Sequence, residues 1–382
     1  MSDFILEPLG SRVQLQGGYA FSSTLFGPEG IPVVRISDIS NSKIILKEAV
    51  CISECEMHKP FLIDRGDILI AMSGATTGKV GRFNDGGKAY LNQRVGRFLS
   101  KTSCIAPSFL FYLVTSEEFQ RKLLVDAIGG AQPNISGGQI EKIIVRLPDS
   151  WEEQVKIARI LTSIDEQIEV TAKLIEKNNA LKYGLIDSLI IRDLDFGNSI
   201  PVKGNIEVLT GYPFNSQEFN GDALGYPLLR IRDLSSALTE IYYSGPVPDG
   251  FWVENGDVLI GMDGEFNLRV WRGERALLNQ RVMRLRELPE SKMSLRYLSH
   301  YLPIFLQEIE NKTPQTTVKH LSHLSILNAK FKFPDRDRQD EIADIISSVD
   351  SVIDNEKLNL EKLELQKQGL MQDLLTGRVR VN

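Results

Sequence analysis

Two stretches of the chain, residues 152–191 and 337–376, place seam positions at alternating steps of three and four. The first seam reads Leu161, Ile164, Ile168, Thr171, Ile175, Asn178, Lys182, Leu185, Leu189. The second reads Ile346, Val349, Ile353, Glu356, Leu360, Leu363, Lys367, Leu370, Leu374. This is the spacing of a coiled-coil seam. Both stretches are poor in Gly and Pro and rich in Glu, Lys, Leu and Ile, which predicts helix. Pro148-Asp149-Ser150 and Pro334-Asp335 offer helix starts whose Asp and Ser can cap the first turn. Helices of about 35 residues would run roughly 50 Å. The two seams share one register when shifted by 185 residues, from Leu161 to Ile346. Lys182 and Lys367 interrupt them at the same step, a break that typically fixes register at a cost in stability. Two long helices packed antiparallel are predicted, because each must leave one globular unit and reach toward the other.

The larger segments change period. Ile68-Leu69-Ile70-Ala71-Met72 and Val258-Leu259-Ile260-Gly261-Met262 are short apolar runs ending in Gly-containing turns, which suits buried strands. Phe109 to Leu124 and Leu295 to Ile309 carry helical periodicity. Short strands with a few helices predict compact α+β units. These segments are also copies of each other. Leu91-Asn92-Gln93-Arg94-Val95 returns as Leu278-Asn279-Gln280-Arg281-Val282. Gly66-Asp67-Ile68-Leu69-Ile70 returns as Gly256-Asp257-Val258-Leu259-Ile260, and Val34-Arg35-Ile36-Ser37-Asp38 returns as Leu229-Arg230-Ile231-Arg232-Asp233. Pro8-Leu9 and Pro201-Val202 begin the copies, and Leu375-Thr376-Gly377-Arg378 closes the second helix with a glycine stop. The expected order is globular 1–150, helix 151–199, globular 200–334, helix 335–382. A repeat this long is a whole folding unit and not a solenoid module. Two similar units in one chain suit a partner with approximate two-fold symmetry, such as duplex DNA or a pair of identical subunits.

At 382 residues the chain suits two or more domains. Its net charge of −6 argues against nucleic acid until it is partitioned. The globular segments carry 16 basic against 15 acidic residues (1–150) and 15 against 15 (200–334). The acidic excess sits in 151–199 and 335–382. Neutral units lack the footprint of a non-specific DNA binder but leave room for a local basic face. No membrane span or signal peptide is expected, and three cysteines fit a reducing cytoplasm.

Ser73-Gly74-Ala75-Thr76-Thr77-Gly78-Lys79-Val80 resembles a phosphate loop, but only three residues separate its glycines and no hydroxyl follows Lys79. The second copy, Asp263-Gly264-Glu265-Phe266-Asn267-Leu268-Arg269, drops the Gly-Lys pair. What persists is a basic residue on a loop, Lys79 matched with Arg269, which could reach a phosphate or a base edge. The Asn-Gln-Arg triplets, ending in Arg94 and Arg281, hold side chains that pair with base edges. If the copies read different sequences, however, base-reading residues should differ. An identical triplet therefore favours scaffold or phosphate contact, with Asn in a turn and Arg pairing Asp67 or Asp257. Ser73, Thr76, Thr77, Asp263, Glu265 and Asn267 lie where the copies diverge. Arg269, Arg272, Arg275, Arg281, Arg284 and Arg286 fall within 18 residues, and a hairpin would put several on one face. Gln132, Asn134 and Ser136 sit in a polar loop whose counterpart holds Gln315, Thr316 and Lys319. Tyr19 and Ser22 pair with Tyr212 and Asn215. These are the DNA-contact candidates. The spacing of Cys51, Cys55, His58 and Cys104 is not a standard zinc pattern, and His320 and His323 suit a helix surface better than a ligand pair. No matched nucleophile and base stands out.

Across residues 4–380 the chain resembles the specificity subunit of a type I restriction–modification system. The resemblance is carried by the repeated Gly-Asp-(Ile/Val)-Leu-Ile-x-Met-x-Gly and Leu-Asn-Gln-Arg-Val, the polar loops, and the helix starts Gln154-Val155-Lys156-Ile157-Ala158 and Gln339-Asp340-Glu341-Ile342-Ala343. It implies two α+β target-recognition domains joined by two long antiparallel coiled-coil-like helices with pseudo-two-fold symmetry, each domain reading one half of a bipartite DNA site. The helices, whose seams carry Leu161, Ile164, Ile168, Ile175, Leu185, Ile346, Val349, Ile353, Leu360 and Leu370, would set the gap and dock two methyltransferase subunits. Restriction subunits would join for cleavage. S-adenosylmethionine, ATP and Mg²⁺ are expected on those partners and no cofactor or metal on this chain. It would be non-catalytic, cytoplasmic and without need of self-association. Two other readings stay open: an enzyme acting alone through the Gly-Lys loop, and a coiled-coil scaffold that does not touch DNA.

Overall fold

The computed structural model describes residues 4–381 apart from 41, 85, 102–103, 128–132, 193–196, 237–238 and 313–318. Its helices in chain order are α1 (Pro107–Thr115), α2 (Glu117–Ala127), α3 (Gly137–Lys142), α4 (Trp151–Ile186), α5 (Asp233–Ser236), α6 (Leu295–Lys312), α7 (His323–Leu327) and α8 (Arg336–Thr376). The chain forms two compact units, residues 1–172 with 358–382 and residues 173–357. Each unit therefore owns part of α4 and part of α8.

In the first unit one sheet runs in the order Val13–Gly17, Val95–Ser100, Ile68–Ala71, Val80–Arg82, Lys43–Ile44, Ile39–Ser40. A second runs Cys51–Ile52, Ile31–Val34, Ala89–Leu91, Leu62–Ile63. The second unit repeats both with Ile206–Thr210, Val282–Glu287, Val258–Gly261, Leu268–Val270, and with Phe219–Asn220, Tyr242–Tyr243, Tyr226–Leu229, Ala276–Leu278, Trp252–Val253. The apolar runs read as buried strands are buried at every residue of Ile68–Ala71 and Val258–Gly261. Each is entered through a glycine in the left-handed region, Gly66 at φ +99° and Gly256 at φ +95°. The next residue fixes the turn. The Asp67 carboxylate accepts the Asp64 N–H at 2.9 Å, and that of Asp257 accepts the Glu254 N–H at 2.7 Å.

The long helices belong to the cores of the units. Ile157, Ala158 and Leu161 of α4 and Leu374 and Leu375 of α8 are buried with Phe109, Leu110 and Leu147 in the first. Ile342, Ala343 and Ile346 are buried with Tyr297, Leu298 and Phe333 in the second. None of the eighteen seam positions is exposed, whereas their neighbours Val170, Leu174, Leu181, Leu358 and Leu365 are. In the first unit Asp165 meets Lys367 while Glu153, earlier on α4, meets Arg380, beyond α8; the segments run in opposite directions. In the second, Lys182 meets Asp350, and Ile186 and Ile190 share a core with Ile346 and Ile342. The helix caps are those expected: Ser150 Oγ accepts the Glu153 N–H and Asp335 Oδ1 accepts the Arg338 N–H.

Gln154 and Gln339 show why a glutamine opens each long helix. Gln154 Oε1 accepts the Ala106 N–H at 2.9 Å and its Nε2 donates to Pro148 O at 2.9 Å. Gln339 Oε1 accepts the Ser294 N–H at 2.8 Å and its Nε2 donates to Pro334 O at 2.8 Å. Each buried amide ties the start of a long helix to the start of the globular helix it packs on, pairing a peptide N–H and a carbonyl there.

Two element boundaries differ from the periodicity. The stretch Phe109–Leu124 is broken into α1 and α2 at Ser116, whose extended backbone and hydroxyl (donating to Leu113 O, accepting from Phe119 N–H) end one helix and begin the next. α4 stops at Ile186 and passes into a π-turn, Asp187–Ile191.

Candidate nucleic-acid interface

In both units the repeated Asn-Gln-Arg triplet forms an exposed turn between two buried strands. Val95 N–H closes it on Asn92 O at 2.9 Å, and Val282 N–H on Asn279 O at 2.9 Å. Tyr19 and Tyr212 lie alongside, bridged to Asn92 and Asn279. Gly18 and Gly211 precede them so closely that a Cβ would sit 2.1 Å from Asn92 O or Asn279 O. The tyrosine rings are anchored in aromatic clusters, Tyr19 at 5.1 Å from Phe21, His58 and Phe61, and Tyr212 at 5.2 Å from Phe214 and Phe251. Ser22 and Asn215 cap the short turns that follow, Ser23–Leu25 and Ser216–Glu218.

A second strip of backbone joins this turn on each unit. Met72 N–H donates to Arg94 O, Gly74 N–H to Pro133 O, and Ile135 N–H to Met72 O. In the second unit Met262 N–H donates to Arg281 O, Gly264 N–H to Lys319 O, and Leu321 N–H to Met262 O. Ser73 bridges Asn134 as Asp263 bridges His320. The structure thus gathers Ser73, Arg94 and Asn134 at one edge, and Asp263, Arg281, Lys319 and His320 at the equivalent edge. Gln132, Gln315 and Thr316 lie outside the described residues.

The side chains on the two edges differ. The side chains of Arg94 and Lys79 are exposed, with no hydrogen-bond or ion-pair partner among the described residues. Thr77 Oγ1 donates toward Gly74 O and Pro133 O, Ser136 caps α3, and the Ser73 and Thr76 hydroxyl oxygens are buried with no partner among the described residues. In the second unit Arg281 Nη1 lies 2.8 Å from Asp263 Oδ2, and His320 Nδ1 lies 2.7 Å from Asp263 Oδ1. Lys319 faces Glu310 at 3.4 Å, and Glu265 and Asn267 are exposed on the intervening loop. The helix-surface expectation fails at His320, which precedes α7, starting at His323. The backbone register sets His320 against Asn134, three residues further along than the Gln132–Gln315 match implies, since Ile135 N–H donates to Met72 O as Leu321 N–H donates to Met262 O.

Several expectations for these residues are corrected. The carboxylates Asp67 and Asp257 pair with Arg97 and Arg286, not with Arg94 and Arg281. The six arginines do not share a face. Arg269 donates to Leu234 O and Ser235 O, Arg272 meets Asp354, and Arg275 lies over Trp252 at 4.1 Å. Arg284 is buried against Glu207, and Arg286 is held by Asp257. The strand pairing sets Val80 opposite Ile70 and Leu268 opposite Ile260. Lys79 therefore corresponds to Asn267 and not to Arg269. The second hairpin is two residues shorter, a change that keeps every side chain on its original face.

The Gly-Lys loop is not built as a phosphate cradle. The N–H groups of Gly74, Thr77, Gly78 and Lys79 donate to Pro133 O, Gly74 O, Ala71 O and Thr76 O, and a strand rather than a helix follows. His58 is buried among Tyr19, Phe21 and Tyr90 rings. Among the described residues no helix is long and apolar enough to cross a membrane.

Comparison with known proteins bears on what this twofold edge is for. The family model for the type I restriction modification DNA specificity domain matches residues 8–179 and again 202–365. The specificity subunit of the type I restriction enzyme EcoBI from Escherichia coli is 38% identical over 176 residues, 45% of this chain and 37% of that one. The MjaVIII specificity subunit from Methanocaldococcus jannaschii is 31% identical over 205 residues, 51% of this chain and 48% of that one. The chain thus matches less than half the length of these two relatives. The crystal structure of the type I restriction–modification S subunit from M. genitalium superposes with a TM-score of 0.65 at 17% identity, covering 98% of this chain and 96% of that one, which is a likeness of fold. With two copies of its domain in tandem, the chain belongs to the type I restriction modification DNA specificity domain family.

Proposed function

We propose that this chain is the DNA-recognition subunit of a type I restriction–modification complex, each unit reading one half of a bipartite site. The observation that carries this reading is the pair of equivalent edges. The same backbone frame presents an exposed Asn-Gln-Arg turn in both units, while the residues set into it differ: Ser73 against Asp263, Asn134 against His320. A constant frame with variable insets is what two readers of different half-sites require.

In the same reading α4 and α8 set the gap between half-sites, and their exposed flanks dock two methyltransferase subunits that methylate adenine. Restriction subunits join for cleavage. S-adenosylmethionine, ATP and Mg²⁺ are held by those partners, and the complex works in the cytoplasm. Near-neutral units fit a division in which the partners supply part of the phosphate binding. Inserting one heptad in both helices should lengthen the gap.

The test is single-molecule methylation sequencing of the host genome with and without this gene, with the methyltransferase partner confirmed as expressed. A two-part adenine motif that disappears on deletion supports the reading and identifies the target. An unchanged methylome overturns it.

A further inference from the structure

We propose that Arg281 reads a guanine in the half-site of the second unit and that Asp263 and His320 hold it in place to do so. This deepens, and rests on, the reading of the chain as a DNA-recognition subunit.

The argument starts from an arginine that both units share. Arg94 and Arg281 occupy the same step of the same turn, and the backbone carbonyl of each accepts the N–H of the equivalent methionine, Met72 or Met262. Their side chains meet different neighbours. Asp263 binds Arg281 through Oδ2 and His320 through Oδ1. An ionised carboxylate only accepts, so Nδ1 of His320 carries the proton, and the ring braces the second carboxylate oxygen. Arg281 and His320 remain more than half exposed while Asp263 is 26% exposed, so the carboxylate is the seat and the arginine the projecting group.

A guanidinium has five N–H donors in a rigid fork. With Nη1 engaged by Asp263, donors remain on its other nitrogens for O6 and N7 of guanine, the bidentate pairing that identifies this base in the major groove. Tethering also removes side-chain freedom before DNA arrives, which lowers the cost of ordering it on binding. In the first unit Ser73 stands in place of Asp263 and Asn134 in place of His320. Among the described residues Arg94 has no carboxylate seat there, and it remains a loose cation suited to a phosphate. An identical Asn-Gln-Arg triplet can therefore serve two different half-sites, because the group beneath the arginine differs.

The test uses the full chain co-expressed with its methyltransferase partners in a host free of background methylation, read by methylation sequencing. With Arg281→Ala or Arg281→Lys, one guanine of the half-site read by the second unit should relax toward any base, discrimination there falling about tenfold or more. Asp263→Ser, which installs the residue of the first unit, should weaken the same position alone. Arg94→Ala should lower methylation at all sites without changing the motif. Arg281→Lys keeps the charge and guards against a folding defect, and thermal melts of each complex check the rest. A wild-type motif left intact by both Arg281 variants overturns the proposal alone. So does a uniform loss of methylation with Arg281→Ala that Arg281→Lys restores, the signature of a phosphate contact. A wild-type complex that methylates no two-part motif overturns the parent reading, and this proposal with it.

Discussion

Lys182 Nζ lies 2.6 Å from Asp350 Oδ1, and the relationship is repeated: Lys367 Nζ lies 2.6 Å from Asp165 Oδ1. The same 185-residue step that carries Lys182 to Lys367 carries Asp165 to Asp350. Each unit thus holds one lysine that interrupts an apolar seam and one aspartate, on the other long helix, that receives it. All four side chains are between about a quarter and a third exposed, so they are partly desolvated. A charge in such a seam is tolerated only at the register where its partner is opposite, which is how a polar break specifies alignment.

Charge reversal tests this. Lys182→Glu should face Asp350 with a like charge and lower the stability of the second unit by about 1–3 kcal/mol. Adding Asp350→Lys should recover part of that loss, with a coupling of about 0.5–2 kcal/mol in a double-mutant cycle followed by thermal melts. Additive losses would show that the pair carries no register information.

The aspartates also meet the globular helices, and there the units differ. Tyr112 on α1 donates to Asp165 Oδ2 at 2.8 Å; at the equivalent step of α6 stands His300, its Nδ1 3.9 Å from Asp350 Oδ2. Burial pushes His300 down to about 4; Lys182 and Arg296 act in the same direction and Asp350 against them. The buried ring is therefore neutral, and its approach to Asp350 is not an ion pair. The unfolded chain takes up this proton near pH 6.5 and the folded one only near 4. The stabilisation is complete above about 6.5 and is lost as pH falls through 4, a loss on the order of 3 kcal/mol. The unfolding temperature of the second unit should fall across that window. His300→Tyr, which copies the first unit, should remove this part of the pH dependence, and an unaltered pH profile would exclude His300 as its source.

Gln154 and Gln339 should tolerate little. Gln154→Leu leaves the Ala106 N–H and Pro148 carbonyl buried without their partner. Two such groups cost about 2–6 kcal/mol together. At about 2–4 °C per kcal/mol for a unit of this size, the expected drop in melting temperature is about 4 °C or more. Gln154→Glu should fare no better, because it replaces the donor with a charge. A melt within a degree of wild type for either variant would show that the glutamine is not what docks the helix.

The elements were legible where period and burial agree. The heptad seams could be traced position by position because a side chain every three or four residues faces one neighbour, and no seam residue proved exposed. The buried strands were legible because four-residue apolar runs between glycine turns have few other uses. Ser116 was hidden because its break depends on a hydroxyl turning back on the chain, not on periodicity. At the interface, loop positions were visible but pairings were not. The carboxylates that engage Arg272, Arg284 and Arg286 lie 29 to 82 residues away. Composition therefore suggested a basic face where the fold makes separate ion pairs. His320 was missed because its role comes from Asp263, 57 residues earlier.

The adjacent glycines Gly17 and Gly18 offer a sharp contrast. A Cβ on Gly17 meets nothing within 4 Å, and the second unit carries Thr210 at the corresponding strand position, set opposite Met283 as Gly17 is set opposite Gly96. A Cβ on Gly18 would lie 2.1 Å from Asn92 O, and its counterpart Gly211 would lie 2.1 Å from Asn279 O. Backbone cannot yield as a side-chain tip can, so Gly18→Ala must push the Asn-Gln-Arg turn away from Tyr19. Overpacking of this kind costs about 1–3 kcal/mol. Gly17→Ala should leave the melting temperature within a degree or two of wild type, or raise it slightly by restricting the unfolded chain. Gly18→Ala and Gly211→Ala should each lower it. On the proposed reading, each should also disturb only the half-site of its own unit when the motif is read by methylation sequencing. Equal tolerance at Gly17 and Gly18 would show that the turn is not held against the Tyr19 strand as tightly as the 2.1 Å approach requires.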